Sequence, residues 1–287
     1  MIARALGGAA IAAGIAIAAR RTGSLSSGGA VAASVVGTVA MAAGWGWGAL
    51  LIAYFAASAL LTRWGAPQKE ARTGAIVEKG GARDAWQVIA NGGVFALAAL
   101  GAAALGAFPV EVSAFGARVT VGGGAPGDPD AWRLIGAGAL AAAAADTWST
   151  ELGTMFGGTP RSLVSGTPVP VGTSGGITPW GSLGALLGGA FVALVAVACG
   201  WRAVDLAPIA FAGIVGAFAD SLLGDTVQAR RVCSACGAFT ERGEHDCGAS
   251  TTPAGGWRWM TNDAVNLVAT LVGAATALIS AHALAGA

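Results

Sequence analysis

Apolar residues occupy this chain in long blocks broken by short polar connections. Eight blocks, near residues 2–19, 26–43, 45–62, 85–107, 131–153, 181–199, 204–224 and 262–284, approach the roughly 20 residues that a helix needs to cross a bilayer. The pattern predicts an all-α polytopic membrane protein of about eight transmembrane helices, a single integral membrane domain over 1–287. The first block lacks a strongly basic start and runs directly into Arg20 and Arg21, which reads as a retained helix rather than a cleaved signal peptide. Polar material gathers in four connections, 63–84, 108–130, 154–180 and 225–261. The second of these, FPVEVSAFGARVTVGGGAPGDPD, alternates apolar and polar residues and ends in turn formers, which predicts a short hairpin.

Composition agrees with the pattern: 55% of the 287 residues are hydrophobic and 11% are charged, which excludes an ordinary soluble domain. Glycine and alanine dominate the blocks, as in GGAAIAAGIAIAA, so helix backbones can approach closely. A net charge of +1 implies no general attraction to nucleic acid. Twelve of the sixteen basic residues, from Arg20 to Arg258, fall in the odd-numbered connections between spans. The positive-inside rule puts those connections in the cytoplasm and both termini outside the cell (inner) membrane.

Ionisable groups inside apolar spans mark function by default. Asp146, Glu151, Asp220, Asp225 and Asp263 lie in or at the cytoplasmic ends of spans. Residues 136–153, GAGALAAAAADTWSTELG, echo 213–228, GIVGAFADSLLGDTVQ, so that Asp146 and Glu151 correspond to Asp220 and Asp225. Helical geometry puts Asp146, Thr150 and Gly153 on one stripe and Glu151 about 140° away from Asp146. Gln87 with Asn91, and Asn262 with Asn266, repeat the i, i+4 spacing; Gln228 extends the stripe of Asp220 and Gly224. Oxygen ligands converging from several helices suit Mg2+, whereas single Asn and Gln residues equally suit interhelical hydrogen bonds.

In PRSLVSGTPVPVGTSGGITPWG, residues 160–181, Gly172, Gly175 and Gly176 permit close backbone approach, Thr173, Ser174 and Thr178 offer hydroxyls, and Arg161 offers a cation. Such a turn can cradle phosphate ahead of a helix, or be an irregular surface connection; it is not a P-loop. Cys233, Cys236, His245 and Cys247 make a set fit for a closed structural Zn2+ site that would staple the cytoplasmic loop 225–261. Free cysteines or a redox pair are the alternative. Cys199 reads as a packing residue of the sixth span, and His282 lies near the outer end of the eighth.

KGGARDAWQVIANGG, ADTWSTELG, the glycine-rich segment, ADSLLGDTVQ, CSAC with HDCG, and TNDAVNL together resemble the integral-membrane family that includes plant phytyl-phosphate kinase and animal transmembrane protein 19 (domain of unknown function 92). The resemblance implies phosphoryl transfer from a nucleoside triphosphate, CTP by analogy, to a prenyl monophosphate. A more distant similarity to dolichol and phytol kinases is incomplete, since no Lys or Glu precedes Gly172-Thr173. On this reading Asp146, Glu151, Asp220 and Asp225 surround Mg2+. Arg161, Thr173, Ser174, Gly175, Gly176 and Gln228 meet the nucleotide, and Asn91, Asn262 and Asn266 the acceptor phosphate. The expected partners are prenyl phosphate, nucleoside triphosphate and membrane lipids; a homo-oligomer is compatible with the sequence. A transporter or flippase of a phosphorylated isoprenoid lipid, and a cytidylyltransferase making a CDP-lipid, are the rival readings.

Overall fold

The computed structural model describes residues 2–73, 76, 81–107, 112–114, 117–119 and 128–286. Eight long helices stand where the eight apolar blocks predict them: α1 (Ile2–Arg21), α2 (Ser27–Ala43), α3 (Trp45–Arg63), then, beyond a short α4 (Ala66–Thr73), α5 (Ala85–Ala107), α6 (Pro129–Phe156), α7 (Pro179–Ala198), α8 (Leu206–Thr226) and α9 (Asn262–Ala285). Six of them are long and apolar enough to span a membrane by themselves. α2 has only 17 residues, and α6 carries the carboxylates that lower its hydropathy. The hairpin expected within 108–130 is present as β1 (Val112–Ala114) paired antiparallel with β2 (Ala117–Val119); most of the other residues of that connection, and Lys79 of the 63–84 connection, lie outside the described residues.

Local chemistry sets the helix starts. Ser26, Thr178 and Thr261 each accept a hydrogen bond from the backbone N–H three residues on, capping α2, α7 and α9. Asp128 caps α6 ahead of Pro129, and Pro179 opens α7, positions where a missing N–H costs nothing.

The bundle is built around α6, which packs against α3, α5, α7, α8 and α9. Residues 137–145 of α6 are all buried, yet every one but Leu140 is glycine or alanine. Without long side chains in the way, neighbouring backbones come into contact. A Cβ on Gly188 of α7 would lie 2.7 Å from the carbonyl oxygen of Ala144, and one on Gly213 of α8 would lie 3.1 Å from that of Ala141. At the end remote from the basic connections, Trp47 packs against Phe95 and Trp201 with ring centroids 5.2 and 4.8 Å apart.

The first, third, fifth and seventh connections meet at one end of the bundle. Ser26 N–H donates to the Arg83 carbonyl (3.0 Å), and Arg63 donates to the Thr22 carbonyl (2.6 Å). Arg72 donates to the Thr154 and Met155 carbonyls, and Glu241 N–H to the Ile76 carbonyl. Two small sheets lie there: β3 (Arg161–Ser162) with β4 (Gly176–Ile177), and a three-stranded sheet with β5 (Arg230–Cys233) between β6 (Phe239–Thr240) and β7 (Thr251–Gly255).

Gly188→Leu should destabilise the bundle by about 1–3 kcal/mol through overpacking, whereas Gly14→Leu, where nothing lies within 4 Å of an added Cβ, should unfold near the wild-type midpoint. Thermal unfolding of both variants in detergent checks this.

Candidate functional site

The small-residue seam of α6 determines what can meet at its polar end. Ala142, Gly216 of α8 and Ala269 of α9 are in contact; a Cβ on Gly216 would lie 3.2 Å from the Ala269 carbonyl oxygen. One turn nearer the polar end along each helix stand Asp146, Asp220 and Asn266. The side chains of Asp146 and Asp220 lie against each other. Asp220 Oδ2 is buried with no hydrogen-bond partner among the described residues, and Asn266, also buried, stands one turn along α9 from Ala269. Arg83 and Glu151 lie within electrostatic range of Asp146. Tyr54 on α3 lies near Thr147, one residue further along α6. Two carboxylates in contact inside an apolar bundle need a shared proton or a cation to coexist.

The second carboxylate of each repeat is held differently. Glu151 forms an ion pair with the buried Lys69, whose ammonium also donates to the Leu61 and Thr62 carbonyls at the end of α3 (2.9 and 2.8 Å). Asp225 accepts from Ser162 Oγ (2.6 Å), Val164 N–H (2.8 Å) and Arg230 (3.2 Å). The echo between the two segments is therefore physical. The first carboxylates face each other at the centre, and each second carboxylate is tied to a cation from a connection.

Asp225 ties the glycine-rich segment to the end of α8. Gly175 has φ +81°, and a Cβ there would overlap the backbone of Asp225; Gly224 sits beneath, where a Cβ would lie 2.9 Å from Gly175 N. Only glycine fits both positions, so the loop lies one helical turn from Asp220. Behind it, Gln228 Nε2 donates to Ser174 Oγ (2.9 Å), and Ser174 in turn donates to Glu241. These three side chains brace the loop from the three-stranded sheet. Thr173 is half-buried in the loop, and Gly176 pairs with Ser162 across β3 and β4. Arg161 is exposed and donates to the Gly166 carbonyl (2.8 Å), on the outer side of the turn. Thr178 is used as the α7 cap.

Asn91 donates to the Gln87 carbonyl (2.9 Å), and both face an apolar cavity with Arg83 and Tyr54. Asn262 and Asp263 occupy the first turn of α9, half-buried. Cys199 and His282 lie at the opposite end of the bundle.

In the three-stranded sheet, Cys233, Cys236, His245 and Cys247 bring four ligand atoms within 4.8 Å of one another. Cys233 Sγ lies 3.5 Å from Cys247 Sγ, and His245 Nδ1 lies 3.6 Å from Cys236 Sγ and 3.2 Å from Cys247 Sγ. Ligands bound tetrahedrally at about 2.3 Å would stand about 3.7 Å apart, so this cluster could hold a metal ion. The backbone N–H of Cys236, working against burial and helped by that of Ala235, brings the Cys233 thiol down to about 6. Cys233 is thus ready to ligate as a thiolate.

The model of a known family, described as "Integral membrane protein DUF92", matches residues 10–274, from the middle of α1 to the middle of α9. The chain belongs to this family. Among its relatives, Protein PGR of Arabidopsis thaliana is 33% identical over 227 residues, covering 74% of each chain. Protein VTE6, chloroplastic, of the same plant is 28% identical over 256 residues, covering 89% of this chain and 65% of that one. An uncharacterized membrane protein of Synechocystis is 27% identical over 252 residues, covering 85% and 78%. No solved structure matches significantly. The family match spans both repeat segments, the glycine-rich loop and the cysteine-containing sheet, so all three parts of the site lie within the family's own domain.

Lys69, Arg83, Arg230 and Glu241 organise the site although sequence patterns singled out none of them for it. The usable signal was charge balance: buried carboxylates require cations, and loop 63–84 supplies several. Lys69→Met should destabilise the protein by about 3–5 kcal/mol by leaving Glu151 buried without its cation. Lys69→Met with Glu151→Leu should recover much of the loss, and thermal unfolding of the two single variants and the double measures the coupling.

Proposed function

We propose that this protein is a phosphotransferase that passes the terminal phosphoryl group of a nucleoside triphosphate, CTP by analogy, to a prenyl monophosphate, at the membrane face carrying the basic connections. The observation that carries the reading is the half-buried Asp146–Asp220 pair, with one Asp220 carboxylate oxygen fully buried, beneath a glycine-rich loop. It supports phosphoryl transfer because that reaction depends on charge neutralisation and alignment rather than on covalent help from the protein. The family resemblance read from the sequence favours the prenyl phosphate acceptor.

On this reading Asp146 and Asp220 would hold Mg2+, the unpartnered Asp220 Oδ2 being the free ligand atom, with Asn266 beside them. The metal would neutralise the phosphates and draw charge off the transferring group. Glu151 and Asp225, each in an ion pair, position the helix ends and the loop instead of ligating the same ion. The backbone N–H groups of Ser174 and Gly175 and the Thr173 hydroxyl receive the triphosphate, the N–H groups of Thr173 and Gly176 holding the loop's own shape, with Arg161 at the outer rim. Arg83, Asn91 and Asn262 serve the acceptor phosphate. An oxygen of that phosphate attacks the terminal phosphorus, the bond to the bridging oxygen breaks, and the nucleoside diphosphate leaves. The attacking phosphate monoester is already ionised near neutral pH, so no general base is needed. The positive-inside pattern puts this face in the cytoplasm.

Purified protein with phytyl or farnesyl phosphate, CTP and Mg2+ should yield the prenyl diphosphate and CDP, with Asp146→Asn and Asp220→Asn each lowering turnover at least about a hundredfold. A CDP-lipid with pyrophosphate would identify a cytidylyltransferase instead, and nucleotide left intact across a panel of prenyl phosphates would favour a flippase.

We further propose that the Cys233, Cys236, His245 and Cys247 cluster holds structural Zn2+, all four ligands being protein atoms. Metal analysis should give one zinc per chain. Cys233→Ser should lose the metal and unfold the sheet around it at lower temperature; protein purified under reducing conditions with no zinc would overturn the assignment.

A further inference from the structure

Between α1, α2, α3 and α5 lies a narrow cavity, part of it open to the surroundings. Its walls are apolar, and its polar groups, Tyr54, Arg83, Gln87 and Asn91, come from the half of the bundle that carries the basic connections. Arg83 stands at the mouth. Its backbone is fixed on both sides, donating to the Ser24 carbonyl (3.0 Å) and accepting from Ser26 N–H (3.0 Å). The guanidinium, half-buried and within electrostatic range of Asp146, makes no hydrogen bond or ion pair with any described residue.

The cavity follows α2 inward from Gly29, which touches the Arg83 backbone, to Met41, which is buried against Gly48 and closes the far end. Twelve residues of helix make this about 18 Å, a depth suited to a chain of farnesyl to phytyl length. Ala12 and Ala16 on α1, and Ala33 and Gly37 on α2, stand at i, i+4. They leave shallow notches about 6 Å apart along two walls, room for methyl branches that recur along a chain.

We propose that this cavity binds the tail of a single-chain isoprenoid phosphate, with Arg83 taking its phosphate at the mouth and Met41 forming the floor. The proposal rests on the reading of the protein as a prenyl-phosphate phosphotransferase and adds to it where the acceptor lies and what limits its length. A tail seated here delivers its phosphate to the end of the bundle where Arg83 acts on Asp146.

The test is equilibrium binding by calorimetry without nucleotide, using phytyl phosphate, phytol, hexadecyl phosphate and a longer isoprenoid phosphate. Phytyl phosphate should bind, with hexadecyl phosphate at least tenfold weaker. Val36→Trp, which fills the cavity, should weaken phytyl phosphate at least tenfold. Arg83→Gln should weaken phytyl phosphate to the same extent and leave phytol unchanged. Met41→Ala should raise the affinity for the longer chain relative to phytyl phosphate. In wild-type protein, a diazirine-bearing phytyl phosphate should label peptides of α1, α2 and α5, a measurement that does not depend on any variant folding.

Undiminished binding by Val36→Trp, equal affinity for hexadecyl phosphate, an unchanged length preference in Met41→Ala, or labelling confined to α7, α8 and α9 would overturn the proposal. Binding that obeys these rules with no turnover of any nucleotide would keep the site and remove the phosphotransferase reading. Turnover that Val36→Trp leaves at the wild-type rate would do the reverse.

Discussion

Asp146 and Asp220 can meet because almost nothing larger than a methyl group stands between α6 and its neighbours. Charged groups inside a bilayer are tolerated when they face the bundle interior and find compensation there, and both conditions follow from the seam of glycine and alanine. It buries α6 on nearly every side and brings the backbones of α7, α8 and α9 against it. A carboxylate one turn beyond the seam then has no route to lipid. Its neighbours include the other carboxylate and the cation just ahead of α5.

The division of labour among the carboxylates follows from the same constraint. At the helix ends, where connections bring cations within reach, Glu151 and Asp225 are neutralised by Lys69 and Arg230 and become anchors. One turn deeper no lysine among the described residues arrives, and the central pair is left to compensate otherwise. The anchors also transmit position. Lys69 joins the end of α3 to α6, and Asp225 joins the glycine-rich loop to α8, so the loop and the central pair share one frame. The cysteine-containing sheet extends that frame through Glu241, Ser174 and Gln228.

Much of this was legible from residue order. Eight apolar blocks became eight helices, because helix length and bilayer thickness leave few other ways to bury so many backbone groups. The turn-rich connection held its hairpin, and the cysteine spacing brought four ligand atoms together. The echo of Asp146 and Glu151 in Asp220 and Asp225 pointed to equivalent positions. It did not distinguish a central pair from two anchored residues, since that depends on Lys69 and Arg230, whose partners are 82 and five residues away.

The sequence by itself determined the membrane class, the helix positions, the end of the bundle where carboxylates and basic connections gather, and the four residues whose ligand atoms cluster. Each of these follows from local pattern: apolar length, capping residues, ligand type and spacing. Only the tertiary structure decided which carboxylates meet, which cations they are bound to, and that an apolar cavity opens toward Arg83. These depend on how closely the helix backbones approach, and that distance is set by glycines on different helices facing one another, a relation between remote positions that no local window of the chain contains.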